Sequence, residues 1–499
     1  MSHASRSTAS ASARSASARR AGFRRVLRVF VLAAAASALV TACATLDFNV
    51  AKSPVPSPAW PATSFAVFSD AHVFLPELGI GQPAFETIKY DDRKMFEYSL
   101  SLLTAAIEQI REARPRFVII PGDLSKDGEE QVHVAVAKAL ERLRSVGIPV
   151  YVIPGNHDVN NPGAVRFEGD KTIRIPNVTP HRFAEIYQNF GYGDAIERDP
   201  HSLAYVVEPE PGLWLLALDA CRYDLSLTQE REHTGGSFTR QRLDWLRGIL
   251  ERARSEGKAV MAMMHHGVVE HFPGQRKQFP QYLVEDDEAV SRMLAQYGVR
   301  MVFTGHFHAQ NIAGAWWNEA GNRATPPSAR FIFDIETGSL VTYPSPHRLI
   351  QVGEDQVAHV RSMQIESLPE MPSGFTAFAE EYSRKGTLPY VERILMGYGI
   401  SREEAARIAA PLAEAGIAHY AGDAVFKGQE MYPTKNLSLM GSIVIAMKKD
   451  IIEGMWKGEP PHADNNIDID LSNGTYSRVD STMPWSLSPA PVTHPAPAG

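Results

Sequence analysis

Five short runs of apolar residues recur between residues 64 and 304, and each is followed at once by polar residues. The runs occupy residues 65–68, 117–120, 150–153, 260–264 and 301–303. Apolar runs of this length that end in Pro, Gly or Asp are typical of buried strands that stop in tight turns. Amphipathic helical patterns at 90–113, 131–146 and 243–253 separate them, and residues 203–207 and 213–218 predict a hairpin. This alternation predicts a layered α/β fold.

The polar residues behind these five runs are types that bind metal ions. They are Asp70 and His72, then Asp123, then Asn156, His157 and Asp158, then His265 and His266, and finally His306 and His308. In open α/β sheets, ligands collect at the carboxyl ends of the strands. One Asp or His at a strand end is often a helix cap or a structural residue, but five in succession predict a single site.

The order D-x-H, G-D, G-N-H-D, H and G-H-x-H resembles the calcineurin-like metallophosphoesterases over roughly residues 64–335. The resemblance implies a dinuclear centre, in which two ions about 3.5–4 Å apart clamp the attacking and leaving oxygens of a phosphoester. It assigns Asp70, His72 and His308 to one ion and Asn156, His265 and His306 to the other, with Asp123 shared by both. Imidazole and carboxylate ligands favour Mn, Fe or Zn.

The resemblance also implies a catalytic role for His157, above the substrate, where it stabilises charge or gives a proton to the leaving oxygen. Asp158 is then expected to fix the tautomer of His157. His265 is the expected ligand of the adjacent pair and His266 lines the pocket, although the reverse assignment remains open. His306 and His308, two apart on an extended segment, would point the same way and reach different ions. The irregular residues 271–282 are expected to form a lid or wall.

The subfamily is narrowed by one departure from a related pattern. Purple acid phosphatases have a Tyr ligand three residues after the shared Asp, and here that position is Lys126. With helices predicted after residue 371, the chain resembles secreted bacterial cyclic-nucleotide phosphodiesterases. The expected function is therefore hydrolysis of a phosphodiester, and the expected partner is a small phosphorylated substrate such as a 3′,5′-cyclic nucleotide. A phosphomonoesterase or nucleotidase on the same site, and a non-catalytic metal-binding scaffold lipoprotein, are the alternatives.

Residues 1–42 predict an export signal. Arginines precede the short apolar stretch 29–40, which ends in Val40-Thr41-Ala42-Cys43 and resembles a bacterial lipobox. The resemblance implies a lipid on Cys43 and a protein anchored to a bacterial membrane outside the cytoplasm. A plain signal peptide and a twin-arginine signal at Arg24-Arg25 are the alternatives. Residues 43–63 contain four prolines and predict an extended tether.

The remaining chain divides into a catalytic domain at 64–366, a helical domain at 371–460 and a disordered tail at 480–499. Helices are predicted at 374–385, 388–397, 402–420 and 437–456, with a capping box of Ser401 and Glu404. The longest of these contains Lys448, Lys449 and Asp450, which favours a bundle helix over a membrane span.

Charge and cysteine content exclude two further classes. The chain has a formal charge of −7, and residues 1–42 hold seven arginines and no other charged residue, which leaves −14 for the remainder. An acidic body argues against stable nucleic-acid binding. Cys221 follows an apolar run and is predicted to be a small buried thiol, so no structural disulfide is expected. Five further histidines are predicted to be surface or loop residues: His133, His181, His201, His233 and His271. Of these, only His233 and His271 lie near enough to the site to be predicted as substrate contacts.

Overall fold

Two seven-stranded β-sheets pack face to face and form the body of the protein. The computed structural model describes residues 58–480 except Asp92 and Val425. The strands are β1 (Thr63–Val67), β2 (Phe117–Ile120), β3 (Val150–Val152), β4 (Val165–Glu168), β5 (Lys171–Arg174), β6 (Glu197–Arg198), β7 (Tyr205–Glu210), β8 (Leu213–Leu218), β9 (Ala259–Met264), β10 (Met301–Thr304), β11 (Asn311–Trp317), β12 (Arg330–Glu336), β13 (Pro346–Val352), β14 (Val357–Gln364), β15 (Ile467–Asp470) and β16 (Tyr476–Arg478). The first sheet has the order β16-β15-β14-β13-β1-β2-β3 and the second β11-β12-β10-β9-β8-β7-β6, while β4 and β5 form a separate hairpin.

Helices cover the outer faces of the sheets, and further helices follow one another in the C-terminal part of the chain. They are α1 (Pro83–Ile88), α2 (Ser99–Ala113), α3 (Glu130–Arg144), α4 (Pro180–Ile186), α5 (Tyr223–Gln229), α6 (Arg240–Ser255), α7 (Gln275–Gln278), α8 (Asp287–Gln296), α9 (Phe375–Gly397), α10 (Arg402–Ala421) and α11 (Leu439–Lys457). The predicted layered α/β fold with a C-terminal helical region is confirmed. Among the described residues, no helix has both the length and the apolar character needed to cross a bilayer.

The core lies between the two sheets, where aromatic rings from both inner faces meet. The Phe65 ring stacks on Phe117 of the same sheet at 5.0 Å and meets Phe303 of the opposite sheet edge-on at 5.2 Å. All three side chains are fully buried. Burial of such large apolar surfaces is the main stabilising contribution to a sandwich of this kind.

The predicted helix at 90–113 begins later than expected. Helix α2 starts at Ser99, after a single 3₁₀ turn at Phe96–Tyr98. The reason is at Arg93, whose φ of 60° lies in the left-handed region and interrupts a right-handed helix. Downstream, Tyr382 donates its hydroxyl to the carbonyl oxygens of Lys89 and Lys94 and holds this segment in a non-helical path.

The C-terminal region differs from the prediction in two respects. The two helices expected at 374–385 and 388–397 are one continuous helix, α9, which passes through Pro389. After α11 the chain returns to the first sheet, where β15 pairs antiparallel with β14 and β16 pairs with β15. Residues 467–478 therefore belong to the sheet that carries half of the site, which the sequence pattern did not indicate.

The expected capping box is only half formed. The Ser401 hydroxyl accepts the backbone N–H of Glu404 at 3.3 Å, but the Glu404 carboxylate instead accepts the N–H of Ser438 at 2.7 Å. Glu404 thus links the N-terminal ends of α10 and α11. The predicted export signal, residues 43–57 of the tether and residues 481–499 of the C-terminal tail lie outside the described residues.

Candidate metal centre

The predicted ligands meet at one edge of the sandwich. Strands β1, β2 and β3 run parallel in the first sheet, and β8, β9 and β10 run parallel in the second. Their carboxyl ends therefore lie on the same side, and the loops after β1, β2, β3, β9 and β10 converge there. Each loop contributes buried polar side chains at this edge.

One group of donors consists of Asp70, His72, Asp123 and His308. One ligand atom from each lies within 4.8 Å of the others. Nε2 of His72 is 3.1 Å from Nε2 of His308 and 3.4 Å from Oδ2 of Asp123, and Nε2 of His308 is 3.3 Å from Oδ1 of Asp70. Two imidazoles and two carboxylates directed at one point form a donor set that suits a transition metal.

The second group consists of Asp123, His265 and His306, whose ligand atoms also lie within 4.8 Å of one another. Asn156 joins them, because its Oδ1 is 2.8 Å from Nε2 of His265. Oδ2 of Asp123 is 3.3 Å from Nε2 of His265, so the same oxygen faces both groups. Nδ1 of His265 donates to the carbonyl oxygen of Pro121 at 2.9 Å, which leaves Nε2 free to act as a ligand.

The backbone at this edge adopts a conformation that non-glycine residues rarely take. φ is positive at five of the seven predicted ligands: 53° at Asp70, 37° at His72, 50° at Asp123, 78° at His306 and 68° at His308. Left-handed residues other than Gly are uncommon and cluster at functional sites. His306 and His308 are directed to different groups, as expected, but through these turns and not through an extended segment.

Electrostatics at the site keep His72, His306 and Asp123 in the forms that bind metals. At His265 burial lowers the pKa, but Asp123 and Asp70 outweigh burial and raise it to about 9. Burial lowers the pKa of His306, and burial together with the Lys94 charge lowers that of His72, so both imidazoles stay neutral. Burial by itself would raise the pKa of Asp123, but His265, His157 and His72 hold it well below its usual range. A neutral imidazole and an ionised carboxylate are the ligand forms of these residues.

Comparison with known proteins assigns the family. Residues 63–310 match the family model of the calcineurin-like phosphoesterases. This segment is a calcineurin-like phosphoesterase domain. The protein is accordingly a hydrolase that acts on phosphoester bonds, with a two-metal site at the converging loops. A comparison with curated protein sequences finds no match.

Solved structures similar to the chain share low identity with it. A dimetal phosphatase from Danio rerio is 18% identical, with a TM-score of 0.41, and the alignment covers 61% of this chain and 97% of that protein. A purple acid phosphatase from yellow lupin is 13% identical, with a TM-score of 0.37 and coverage of 62% and 53%. The structure of PhoD is 10% identical, with a TM-score of 0.36 and coverage of 63% and 68%.

Two ions bound by the phosphoesterase domain would act as Lewis acids on the phosphoryl oxygens. The residues fit such a pair, because seven donors from five loops converge and Asp123 is common to both groups. Mn, Fe and Zn all accept imidazole and carboxylate ligands.

His157 lies beside the first donor group, but its orienting partner is not the predicted one. Nδ1 of His157 is 2.9 Å from Oδ1 of Asp127, and its backbone N–H donates to Oδ1 of Asp123. The His157 ring lies 4.9 Å from that of His72. Burial and Lys94 disfavour the imidazolium, yet Asp123 and Asp127 prevail and raise the pKa of His157 to about 9. Asp127, and not Asp158, therefore orients this imidazole.

The assignment of Asp158 as the partner of His157 is wrong for a geometric reason. The fully buried Asp158 carboxylate accepts the backbone N–H groups of Leu124, Ser125 and Gly155 at 2.9–3.1 Å, and also the Ser125 hydroxyl. All the hydrogen bonds of this carboxylate are to the two loops that carry Asp123 and Asn156. Asp158 is a positioning residue that holds these loops together.

Other predicted positions are resolved by their neighbours. His266 is buried behind the site, with Nε2 2.9 Å from the carbonyl oxygen of Thr234, and it belongs to neither donor group. The Lys126 ammonium pairs with Asp127 and lies 5.6 Å from the centre of the Phe96 ring. His133 is neither a surface nor a loop residue as predicted, because it lies in α3 and is buried against Asp158. His271 lies in a loop, as predicted, but it is buried against Asp334.

Three residues at the site were not identified from the sequence. Asp127 orients His157, Glu232 accepts the side-chain N–H of Asn156, and Lys94 acts electrostatically on His72 and His308. Only Asp127 carried a usable signal, because it lies in the same turn as Asp123. Glu232 and Lys94 reach the site from irregular segments without any motif.

Proposed function

We propose that the protein hydrolyses phosphodiesters, with a nucleoside 3′,5′-cyclic phosphate as the substrate class. The observation that carries the proposal is the hydrogen bond of 2.9 Å between His157 and Asp127, beside a full set of two-metal donors. An oriented imidazole can donate a proton to a leaving alkoxide such as a ribose hydroxyl.

The charges around the site favour a diester over a monoester. Near neutral pH a diester carries one negative charge and a monoester carries nearly two. The Lys94 ammonium complements one negative charge near the first donor group, while Glu232 contacts Asn156 in the second group. The Glu232 carboxylate beside Asn156 disfavours an additional negative charge on the substrate, and this repulsion is strong where water is partly excluded.

The test compares two substrates with the same leaving group. The full chain, loaded in turn with Mn, Fe and Zn, is assayed on bis(4-nitrophenyl) phosphate and on 4-nitrophenyl phosphate, and then on 3′,5′-cyclic AMP. We expect kcat/KM to be at least about tenfold higher for the diester, a difference of about 1.4 kcal/mol in transition-state binding. The reverse preference identifies a phosphomonoesterase, and no hydrolysis with any of the three metals identifies a scaffold.

We further propose that a lipid on Cys43 anchors the protein to a bacterial membrane outside the cytoplasm. The sequence Val40-Thr41-Ala42-Cys43 after a short apolar stretch supports this proposal. Cys43→Ser is expected to release the protein from the membrane fraction or to block processing. A variant that fractionates and migrates like the parent would contradict a lipid anchor.

A further inference from the structure

The helix α11 is apolar on two opposite faces. On one face Val444 and Ile445 are buried, and they pack with Leu395 of α9 and Ile408 of α10 in a single apolar cluster. The other face has four large apolar side chains that are 80%, 41%, 42% and 47% exposed: Leu439, Met440, Ile443 and Met447. A helix that is apolar all round is normally covered on every side. The exposed side chains therefore indicate a contact beyond the described residues.

These four side chains form one continuous surface, which we call the apolar face. Residues three and four apart are neighbours on the surface of a helix. Steps of four residues join Leu439 to Ile443 and Ile443 to Met447, and a step of three joins Met440 to Ile443. The helix is also fixed to the body of the protein, because the Lys448 ammonium donates to Oε1 of Gln278 at 2.6 Å.

Positive charge surrounds the apolar face. Residues 431–449 contain no acidic residue and three lysines: Lys435, Lys448 and Lys449. Arg407 of α10 lies beside this segment, because its guanidinium donates to the carbonyl oxygen of Asn436. The segment ends at Asp450, and residues 43–499 as a whole carry the formal charge of −14 derived above. Apolar side chains flanked by cations in an otherwise acidic protein match a bilayer that contains anionic lipids.

The predicted tether is long enough for this face to reach a membrane. Residues 43–57 would span about 45 Å at about 3.1 Å per residue in an extended Pro-rich chain. A body of this length has a radius of gyration of about 22 Å, so the tether is comparable to its diameter. A lipid on Cys43 would keep the apolar face at a high local concentration beside the bilayer, where a weak contact suffices.

We infer that the apolar face and its flanking lysines dock on the anionic surface of the bilayer that anchors the chain. The inference rests on the proposed lipid anchor and adds a second, non-covalent contact to it. The helix lies in the plane of the interface, with its apolar side chains at the boundary of headgroups and acyl chains. The lysines contribute through their attraction to anionic headgroups.

The test measures binding to vesicles in the absence of the anchor. A chain that begins at residue 44 lacks Cys43 but retains every described residue, and these residues belong to a single compact unit. Its cosedimentation is measured with vesicles of phosphatidylethanolamine and phosphatidylglycerol, and with vesicles of phosphatidylcholine alone. We expect it to bind the anionic vesicles more tightly.

Two double variants separate the apolar and the electrostatic contributions. Leu439→Gln with Met447→Gln should weaken binding to the anionic vesicles by at least about tenfold, because two large side chains no longer favour burial. Lys435→Gln with Lys449→Gln should weaken it by about 10- to 30-fold and leave binding to phosphatidylcholine unchanged. All four side chains are exposed, so each variant should unfold in urea at the parental midpoint.

A matched control lies outside the helical region. Leu227 of α5 is 55% exposed, and Leu227→Gln should bind vesicles like the parent. An equal loss in this variant, or no binding of the parent to anionic vesicles, would overturn the inference. A parent that is a dimer and binds no vesicles, and that Leu439→Gln with Met447→Gln makes monomeric, would identify the face as an interface between two copies. The assay omits Cys43 and measures no hydrolysis, so failure of the anchor or of the proposed activity is detected separately.

Discussion

At the scale of single residues, His157 is next to the metal donor Asn156 in its turn, but its imidazole has the carboxylate of Asp127 as its partner. Its neighbour Asn156 faces His265, whereas the His157 imidazole faces Asp127. His157→Ala should therefore retain both metals and lose turnover by about 10²–10⁴-fold if the imidazole acts as a general acid. The loss should be larger for a ribose leaving group than for a nitrophenolate, which needs little protonation.

The measurement is kcat for 3′,5′-cyclic AMP and for bis(4-nitrophenyl) phosphate, with metal content determined for each variant. Asp127→Asn should show the same dependence on the leaving group with a smaller loss of kcat, because it keeps the His157 contact but removes the charge. Equal losses on both substrates would instead assign His157 to stabilisation of the phosphoryl oxygens. Loss of metal would show that His157 belongs to the ligand set.

Asp123 differs from the other donors because its Oδ2 faces both groups. It lies 3.4 Å from Nε2 of His72 and 3.3 Å from Nε2 of His265. Asp123→Ala should therefore lose both ions and all phosphoesterase activity, as measured by elemental analysis and by nitrophenolate release. Retention of either ion at the parental level would contradict the shared position.

The residues predicted from the sequence and those missed differ in how they are held. The seven donors follow buried strands directly, so the apolar pattern locates them. Asp158 was assigned to the wrong partner because it contacts backbone N–H groups of neighbouring loops. Contacts to the backbone cannot be predicted from the residue types in the sequence. Glu232 and Lys94 reach the site through tertiary packing of irregular segments, which local pattern cannot predict.

At the scale of elements, the turn at residues 305–308 depends on the absence of a side chain at Gly305. A Cβ there would lie 2.2 Å from Oδ2 of Asp70 and 2.2 Å from Oγ of Ser69. Gly305→Ala should therefore displace Asp70 and weaken metal binding about 10- to 100-fold, comparable to the loss of a residue that orients a ligand. Titration with Zn²⁺ followed by calorimetry measures this change.

The control is Gly248→Ala in α6, where no atom lies within 4 Å of the added Cβ. Alanine is favoured over glycine inside a helix by about 1 kcal/mol, so this variant should be at least as stable as the parent and bind metal equally. Parental metal affinity in Gly305→Ala would show that the turn accommodates a side chain and does not set the Asp70 position.

Helices and strands were predictable where the local apolar pattern alone determines them. Buried strands and the helices α3 and α6 follow from apolar periodicity, and their predicted limits agree with the structure within three residues. The start of α2 and the continuity of α9 do not follow from it. At α2 the conformation of Arg93 overrides a helical pattern, and α9 continues through Pro389 where it packs against α10.

At the scale of the whole molecule, the helical region lies in sequence between two strands of the sheet that supports the site. The chain leaves the first sheet after β14, forms α9 to α11, and returns to pair β15 with β14. All described residues belong to a single compact unit. The predicted division into a catalytic domain and a separate helical domain therefore omits a connection that depends on pairing between strands about a hundred residues apart in sequence.

Ile467 tests whether this return is part of the cooperative fold. Its side chain is fully buried and its backbone pairs with Val360 of β14. Ile467→Ala should lower the free energy of unfolding by about 2–4 kcal/mol through lost apolar contact and the cavity left behind. Urea unfolding followed by tryptophan fluorescence should show one transition at a lower midpoint with an unchanged slope. A chain shortened after residue 480 retains β15 and β16 and should unfold like the parent. If Ile467→Ala instead produced two transitions, one at the parental midpoint, the helical region and β15 would fold independently of the sheet that holds the metal ligands.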